Sequence, residues 1–189
     1  MRIAPVAVLL LAAGILWGDP ARSSAVSPPS ARENVSFQLT SPSFGPGQPI
    51  PDRYTCQGED NSPELQWSGA PAQARSFVLI MDDPDAPAGT WVHWVLYDLP
   101  ANQTHLPSLS KGSGQLSAGL QGRNSFKRVG YGGPCPPPGH PHRYFFRLYA
   151  LSVPALGLPQ GATRQQIDAA MHGKVLAETE LMGVYGRKS

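Results

Sequence analysis

Prolines and glycines interrupt this chain too often for long helices: its 189 residues include 21 prolines and 20 glycines. Proline removes a backbone donor and fixes φ, and glycine weakens helix interiors, so both residues concentrate in turns and shaped loops. Between the loops lie short β-like runs, at residues 35–39, 76–82, 91–99, 142–151 and 175–185. The pattern predicts a mainly β fold with little helix and no internal repeat.

Two neighbouring runs indicate which side chains share a face of the predicted sheet. In residues 76–82 both alternating sets are apolar, which predicts a core strand that is covered on both sides. In the next run, a period of two groups four side chains on one face: Trp91, His93, Val95 and Tyr97. His93 is therefore expected among large apolar groups.

The run that begins at His142 has the same period. Counting in twos places four side chains on one face: His142, Tyr144, Phe146 and Leu148. His142 is then expected at the very start of its strand.

One helix is predicted near the C-terminus. Thr163 and Gln166 have the spacing of a capping box. Apolar residues follow at helical intervals as far as Met171, and Gly173 is expected to end the helix.

The N-terminus is typical of an export signal. A single Arg2 precedes an apolar run over residues 3–17, which is short for a membrane span, and small residues at 23–25 suit a signal peptidase. We expect a signal peptide over residues 1–25, a disordered lead-in over 26–34, a domain over 35–189, and a periplasmic or secreted protein without stable membrane insertion after cleavage. An uncleaved N-terminal anchor is the alternative.

The chain has two cysteines, Cys56 and Cys135. An even number in an exported chain favours a disulfide, because exported proteins fold in oxidising compartments. Two buried free thiols are the alternative.

The charge of the chain argues against nucleic acid as a partner. The formal net charge is +2, and removal of Arg2, Asp19 and Arg22 with the predicted signal lowers it to +1. Nucleic-acid binders carry a basic face, and this sequence contains no run of Lys or Arg.

A D-P-D-A-P turn at residues 83–87 follows the predicted core strand directly. Each proline restricts its own φ and the conformation of the residue before it, so the turn should hold Asp83 and Asp85 rigidly. Alternatively, both carboxylates only accept hydrogen bonds from nearby backbone N–H groups.

A second unusual segment is the Gly- and Pro-rich run at residues 132–139, which leads into His142. Glycines let a ligand approach the backbone, prolines stiffen a wall, and the histidine supplies a ring N–H. The alternative is a long hairpin connection that a disulfide at Cys135 holds in place.

Taken in order, these segments resemble the phosphatidylethanolamine-binding protein family. The family's bacterial and archaeal branch, often called Raf-kinase-inhibitor-like, is similar also in R-Y-T-C at 53–56, N-S-P-E-L at 61–65 and Y-G-G-P-C-P-P at 131–137. The resemblance covers roughly residues 35–187. It implies two packed antiparallel sheets, a β-sandwich-like arrangement with a few short peripheral helices.

The resemblance also implies a small pocket for phosphate-like or acetate-like anions. Carried over by position, its ligand-binding residues are Asp83, Asp85, Trp91, His93, Pro136, Pro137, His142 and Tyr144. Residues 61–63 are expected to close one side, and backbone N–H groups near Gly133 are expected to add donors. Neither a cofactor nor a metal is implied. The family associates this fold with modulation of a partner protein, such as a kinase or a protease.

An enzyme is the competing reading, because Asp83, Asp85, His93 and His142 bring acid and base groups together. However, the sequence lacks a G-x-S-x-G nucleophile elbow. A zinc site is a weaker reading, since the histidine spacing matches neither H-x-x-x-H nor H-E-x-x-H. We therefore expect a non-enzymatic binding protein.

Overall fold

A computed structural model describes Met1 and residues 36–112, 116 and 118–187. The chain divides into two units, Met1–Glu33 and Asn34–Ser189, and apart from Met1 all described residues belong to the second. Apart from Met1, the predicted signal peptide over 1–25, the lead-in over 26–34 and Val35 lie outside the described residues.

The described residues form a mainly β fold, as the sequence predicts. The strands are β1 Gln38–Thr40, β2 Leu65–Ser68, β3 Ser76–Asp83, β4 Trp91–Pro100, β5 His105–Leu106, β6 Leu120–Gln121, β7 His142–Leu151 and β8 Val175–Tyr185. In the described part of the run predicted from residue 35, the strand begins at Gln38. Sequence patterns did not reveal β2, β5 or β6, because two to four residues are too few to show a period.

The strands form two antiparallel sheets, ordered β1-β2-β5 and β6-β4-β3-β7-β8. β3 lies at the centre of the larger sheet, and all eight of its residues are buried, which confirms a core strand covered on both faces. One apolar cluster joins its Phe77 and Leu79 to Trp67 of the smaller sheet. A second cluster lies on the opposite face, where Ile80 meets Ile167 of the helix.

Helix α1 spans Arg164–Met171 and begins with the predicted capping box. The Thr163 hydroxyl accepts a hydrogen bond from the Gln166 backbone N–H at 3.3 Å, and the Gln166 side chain accepts one from the Thr163 backbone N–H at 2.8 Å. A short 3-10 turn at Asp52–Tyr54 is the other helical element of the described chain. No helix in these described segments is long and apolar enough to cross a membrane.

The face predicted for β4 is wrong beyond His93. Met81 of β3 pairs with Trp94, but its neighbour Asp82 pairs with Val92, so the register shifts and His93 is an extra residue. Such a bulge reverses the alternation of side chains along the strand. Val95 consequently packs in the cluster next to α1, whereas His93 faces the opposite side with Tyr144.

Candidate ligand-binding site

A cavity of about 340 Å³ lies at one end of the larger sheet. β3 lies between β4 and β7 and is antiparallel to both, so its C-terminal end meets their first residues. The cavity is lined by Asp83, Ala86, Pro87, Ala88, Trp91, His93, Phe126, Cys135, Pro136, Pro137, His142 and Tyr144. Seven of the eight predicted ligand-binding residues are in this lining, and Asp85 is not.

Asp83 and His142 form the polar centre of the cavity. The Nδ1 atom of His142 lies 2.7 Å from Oδ2 of Asp83, and both residues are at least nine-tenths buried. The second carboxylate oxygen, Oδ1, accepts the backbone N–H of Asp85 at 2.8 Å. Because a carboxylate accepts, His142 carries its proton on Nδ1, and Nε2 becomes a donor whenever the ring takes a second proton.

His93 has a different partner. Its Nδ1 lies 2.6 Å from the Gly132 carbonyl oxygen, and the residue is 2% exposed. Burial lowers the pKa of the His93 ring, and this outweighs the opposing effects of the Gly132 and Gly133 backbone and of the Asp83 and Asp60 charges. The neutral ring is thereby favoured, with its proton on Nδ1 and a lone pair on Nε2.

The Tyr144 hydroxyl is a buried donor near the Asp83 carboxylate that makes no hydrogen bond of normal geometry with the described residues. The residue is fully buried, and no hydrogen bond to its oxygen is found among the described residues. Burial raises the pKa of Tyr144, and the nearby Asp83 charge raises it further. The group therefore remains a neutral O–H donor on the cavity wall.

Asp85 does not line the cavity; its carboxylate connects the D-P-D-A-P turn to β7 through an ion pair and hydrogen bonds. Its carboxylate accepts Nε and Nη2 of Arg143 at 2.9 and 2.7 Å, and also the Arg143 backbone N–H at 2.9 Å. These bonds lower the pKa of Asp85 to about 2. Among the described residues, no three His, Cys, Asp or Glu side chains are grouped so that they could hold a metal ion.

Another part of the cavity wall belongs to residues 132–137, which we call the lip; Cys135, Pro136 and Pro137 of the lip line the cavity. Cys135 is bonded to Cys56, as the cysteine count predicted, and the Cys56 N–H donates to the Pro134 carbonyl at 3.1 Å. Gly133 N–H donates to Oδ1 of Asp60 at 2.7 Å. The lip is thus attached covalently and by hydrogen bonds to the loop that contains Asp60.

Two expectations about the surroundings of the cavity are not met. Gly132 N–H donates to the His93 carbonyl and Gly133 N–H to Asp60, so neither is free to bind a ligand. Residues 61–63 do not line the cavity either. Ser62 is hydrogen-bonded to Ser108 and Leu109 instead.

Phe126 is a lining residue that the sequence did not suggest. Its ring packs edge-on against Trp91 and His93, with centroid separations of 5.3 and 5.4 Å. It lies in an irregular loop without periodicity or motif, so nothing near it in the sequence marks it. Ser125, the residue before Phe126, attaches that loop to β4 through hydrogen bonds to the backbone of Val92.

Comparison with known proteins identifies similar sequences over most of the chain. The sequence model of a family described as phosphatidylethanolamine-binding protein matches residues 40–186. A UPF0098 protein of Aquifex aeolicus is 51% identical over 152 residues, which are 80% of this chain and 89% of that protein. A UPF0098 protein of Methanothermobacter thermautotrophicus is 50% identical over 73% of this chain and 91% of its own length.

Solved structures show the same architecture. A putative phosphatidylethanolamine-binding protein homologue from Chlamydia trachomatis superposes with a TM-score of 0.74 at 41% identity, covering 81% of this chain and 99% of that one. Escherichia coli YbcL, described as a new member of the mammalian family, superposes with a TM-score of 0.75 at 33% identity, covering 80% and 99%. The two-sheet fold expected from the sequence is confirmed.

Proposed function

Because this chain belongs to the phosphatidylethanolamine-binding protein family, we propose that it is a non-enzymatic binding protein whose cavity holds a small anionic or phosphate-bearing ligand. The observation that carries the proposal is the buried pair of His142 Nδ1 and Asp83 Oδ2 at 2.7 Å in the cavity wall. Next to this pair the Tyr144 hydroxyl makes no hydrogen bond of normal geometry with the described residues. These groups supply directional donors in an otherwise largely apolar cavity.

An anion binds beside Asp83 only if hydrogen-bond donors in the cavity compensate for its electrostatic repulsion by the Asp83 carboxylate. Both Asp83 oxygens already accept hydrogen bonds, one from Asp85 and one from His142. A ligand that draws a second proton onto His142 gains a charge-assisted N–H donor from Nε2, and the resulting cation neutralises Asp83. The Tyr144 O–H adds a neutral donor.

The disulfide favours binding over nucleophilic catalysis. Cys135 is the cysteine in the cavity wall, and its sulfur is bonded to Cys56. A sulfur in this state cannot attack a substrate as a thiolate. Asp83, His93 and His142 are each held by a hydrogen bond that suits a fixed binding wall.

We further propose an exported protein, periplasmic or secreted, that modulates a partner such as a kinase or a protease. The Cys56–Cys135 bond supports export, because disulfides persist mainly in oxidising compartments. Ligand occupancy would alter the rim of the cavity that such a partner contacts. Mass spectrometry of the mature secreted chain should show an N-terminus close to residue 26, and a retained residue 1 would contradict removal of a signal.

Replacement of His142 by Ala is expected to weaken binding of O-phosphorylethanolamine by about tenfold or more. The change removes the charge-assisted donor and leaves Oδ2 of Asp83 without its partner, next to an anion. Isothermal titration calorimetry of wild type and variant measures the effect, with circular dichroism to show that the variant is folded.

His105→Ala is the matched control, because His105 is an exposed histidine that pairs with Glu64 on the smaller sheet. It should bind the probe as wild type does. Equal affinity in wild type and His142→Ala would refute the assignment of the site.

A further inference from the structure

We infer that the cavity selects a phosphate that retains a proton, namely a phosphate monoester or hydrogen phosphate, over sulfate esters and phosphate diesters. The inference rests on the proposed function, because it concerns the ligand of the same cavity. His93 is the residue that determines the selectivity. Its Nε2 is a hydrogen-bond acceptor in the wall of an anion site, and only a ligand with a donor can satisfy it.

The proton on His93 is placed by its partner. A backbone carbonyl can only accept, so the 2.6 Å contact with the Gly132 oxygen requires a proton on Nδ1. Gly132 cannot move away easily, because its own N–H donates to the His93 carbonyl at 3.1 Å. The residue is 2% exposed, which opposes a second, charged proton on the ring. Nε2 therefore presents a lone pair.

No described residue supplies a donor to this lone pair. The ring is enclosed by Phe126 and Tyr144, whose rings pack against it at centroid distances of 5.4 and 5.2 Å. The Tyr144 hydroxyl lies near the Asp83 carboxylate, which is an acceptor, and it makes no hydrogen bond of normal geometry with a described residue. An acceptor without a donor costs free energy once a ligand displaces the water around it, so the donor then has to come from the ligand.

The other cavity groups complete the recognition of a protonated oxyanion. His142 and Tyr144 offer donors to two ligand oxygens, and His93 accepts from a third. Asp83 adds a negative charge that favours a monoanion over a dianion. A phosphate monoester with one P–OH group meets each of these conditions, since its second pKa is about 6.

Two close analogues lack the proton. A sulfate monoester has the same charge and shape as the monoanionic phosphate monoester but carries no hydroxyl on sulfur. A phosphate diester, as in a phospholipid headgroup, has only one acidic oxygen left, and that oxygen is ionised near neutral pH, so the diester carries no P–OH group. Either analogue would place an acceptor opposite the His93 lone pair. The site is therefore suited to monoesters or free phosphate, and poorly suited to lipid diesters.

The test compares three probes at pH 6 by isothermal titration calorimetry: O-phosphorylethanolamine, ethanolamine O-sulfate and glycerophosphoethanolamine. All three carry the same ammonium group. We expect the phosphate monoester to bind about 10- to 100-fold more tightly than either analogue. Sulfate or diester binding as tight as the monoester overturns the selectivity and leaves the proposed function intact. Binding of none of the three overturns both.

Replacement of His93 tests whether this residue determines the selectivity. His93→Phe removes the acceptor but keeps an aromatic ring, and it should reduce the preference for the monoester to within about threefold, while His105→Phe should retain it. For the wild type, a long-range ¹H–¹⁵N correlation spectrum of the His93 ring shows which ring nitrogen carries the proton, and this second test needs no variant. A proton on Nδ1 with bare Nε2 supports the inference, and a proton on Nε2 in the free protein contradicts it.

Discussion

Removal of the Cys56–Cys135 bond is expected to lower the free energy of unfolding by about 4 kcal/mol. The bond closes a loop of 79 residues, and the loss of loop-closure entropy in the unfolded chain predicts a contribution of about this size. Urea unfolding of wild type and of the Cys56→Ser, Cys135→Ser double variant measures the difference.

The same change should also weaken ligand binding, because Cys135 lies in the cavity wall and is followed by Pro136 and Pro137 of the lip. We expect affinity for O-phosphorylethanolamine to fall by about tenfold, since ordering a loosened lip opposes binding. Dithiothreitol is the control: it should destabilise wild type and leave the double-serine variant unchanged. A loss of stability below about 1 kcal/mol in both comparisons would contradict the tethering role.

Gly133→Ala is expected to lower the free energy of unfolding by about 3 kcal/mol, at the upper end of overpacking effects. A Cβ atom at this position would lie 2.3 Å from the Tyr54 carbonyl oxygen and 2.7 Å from Oδ1 of Asp60. Neither group can withdraw freely: the Tyr54 oxygen accepts the Tyr131 hydroxyl, and the Asp60 carboxylate accepts the Gly133 N–H. The lip would have to separate from its supporting loop.

Gly45→Ala is the matched control for this substitution. A Cβ atom there would meet only the Gln48 side chain, at an ordinary 3.5 Å. Thermal and urea unfolding should show a change of less than about 1 kcal/mol for Gly45→Ala. Similar stability of the two variants would mean that the lip is not tightly packed against the loop.

Local spacing predicted the parts of the site that lie within single segments. The D-P-D-A-P turn, Trp91 with His93, and His142 with Tyr144 each lie at a strand end, and a period of two is enough to assign their faces there. β3 was recognisable as central because both its faces are apolar. Three adjacent strand ends then explain why these residues meet.

Other parts of the fold and of the site depend on contacts between segments that are distant in the chain, and such contacts cannot be inferred from a single sequence. The bulge at His93 arises from the register of β4 against β3, and it reverses the face of Val95. Asp60 interacts with Gly133 across 73 residues. The ion pair of Asp85 with Arg143 joins the turn to β7 and holds its carboxylate away from the cavity.

We propose that the ligand binds in the cavity between Asp83, His93 and His142. The five histidines of the chain allow a direct measurement, a titration of ¹⁵N-histidine-labelled protein with O-phosphorylethanolamine followed by ring ¹H–¹⁵N correlation. We predict saturable shifts at His93 and His142, and none at His105 or His172, which lie in other parts of the fold. Shifts confined to His105 and His172, or no shift at any histidine, would contradict the account.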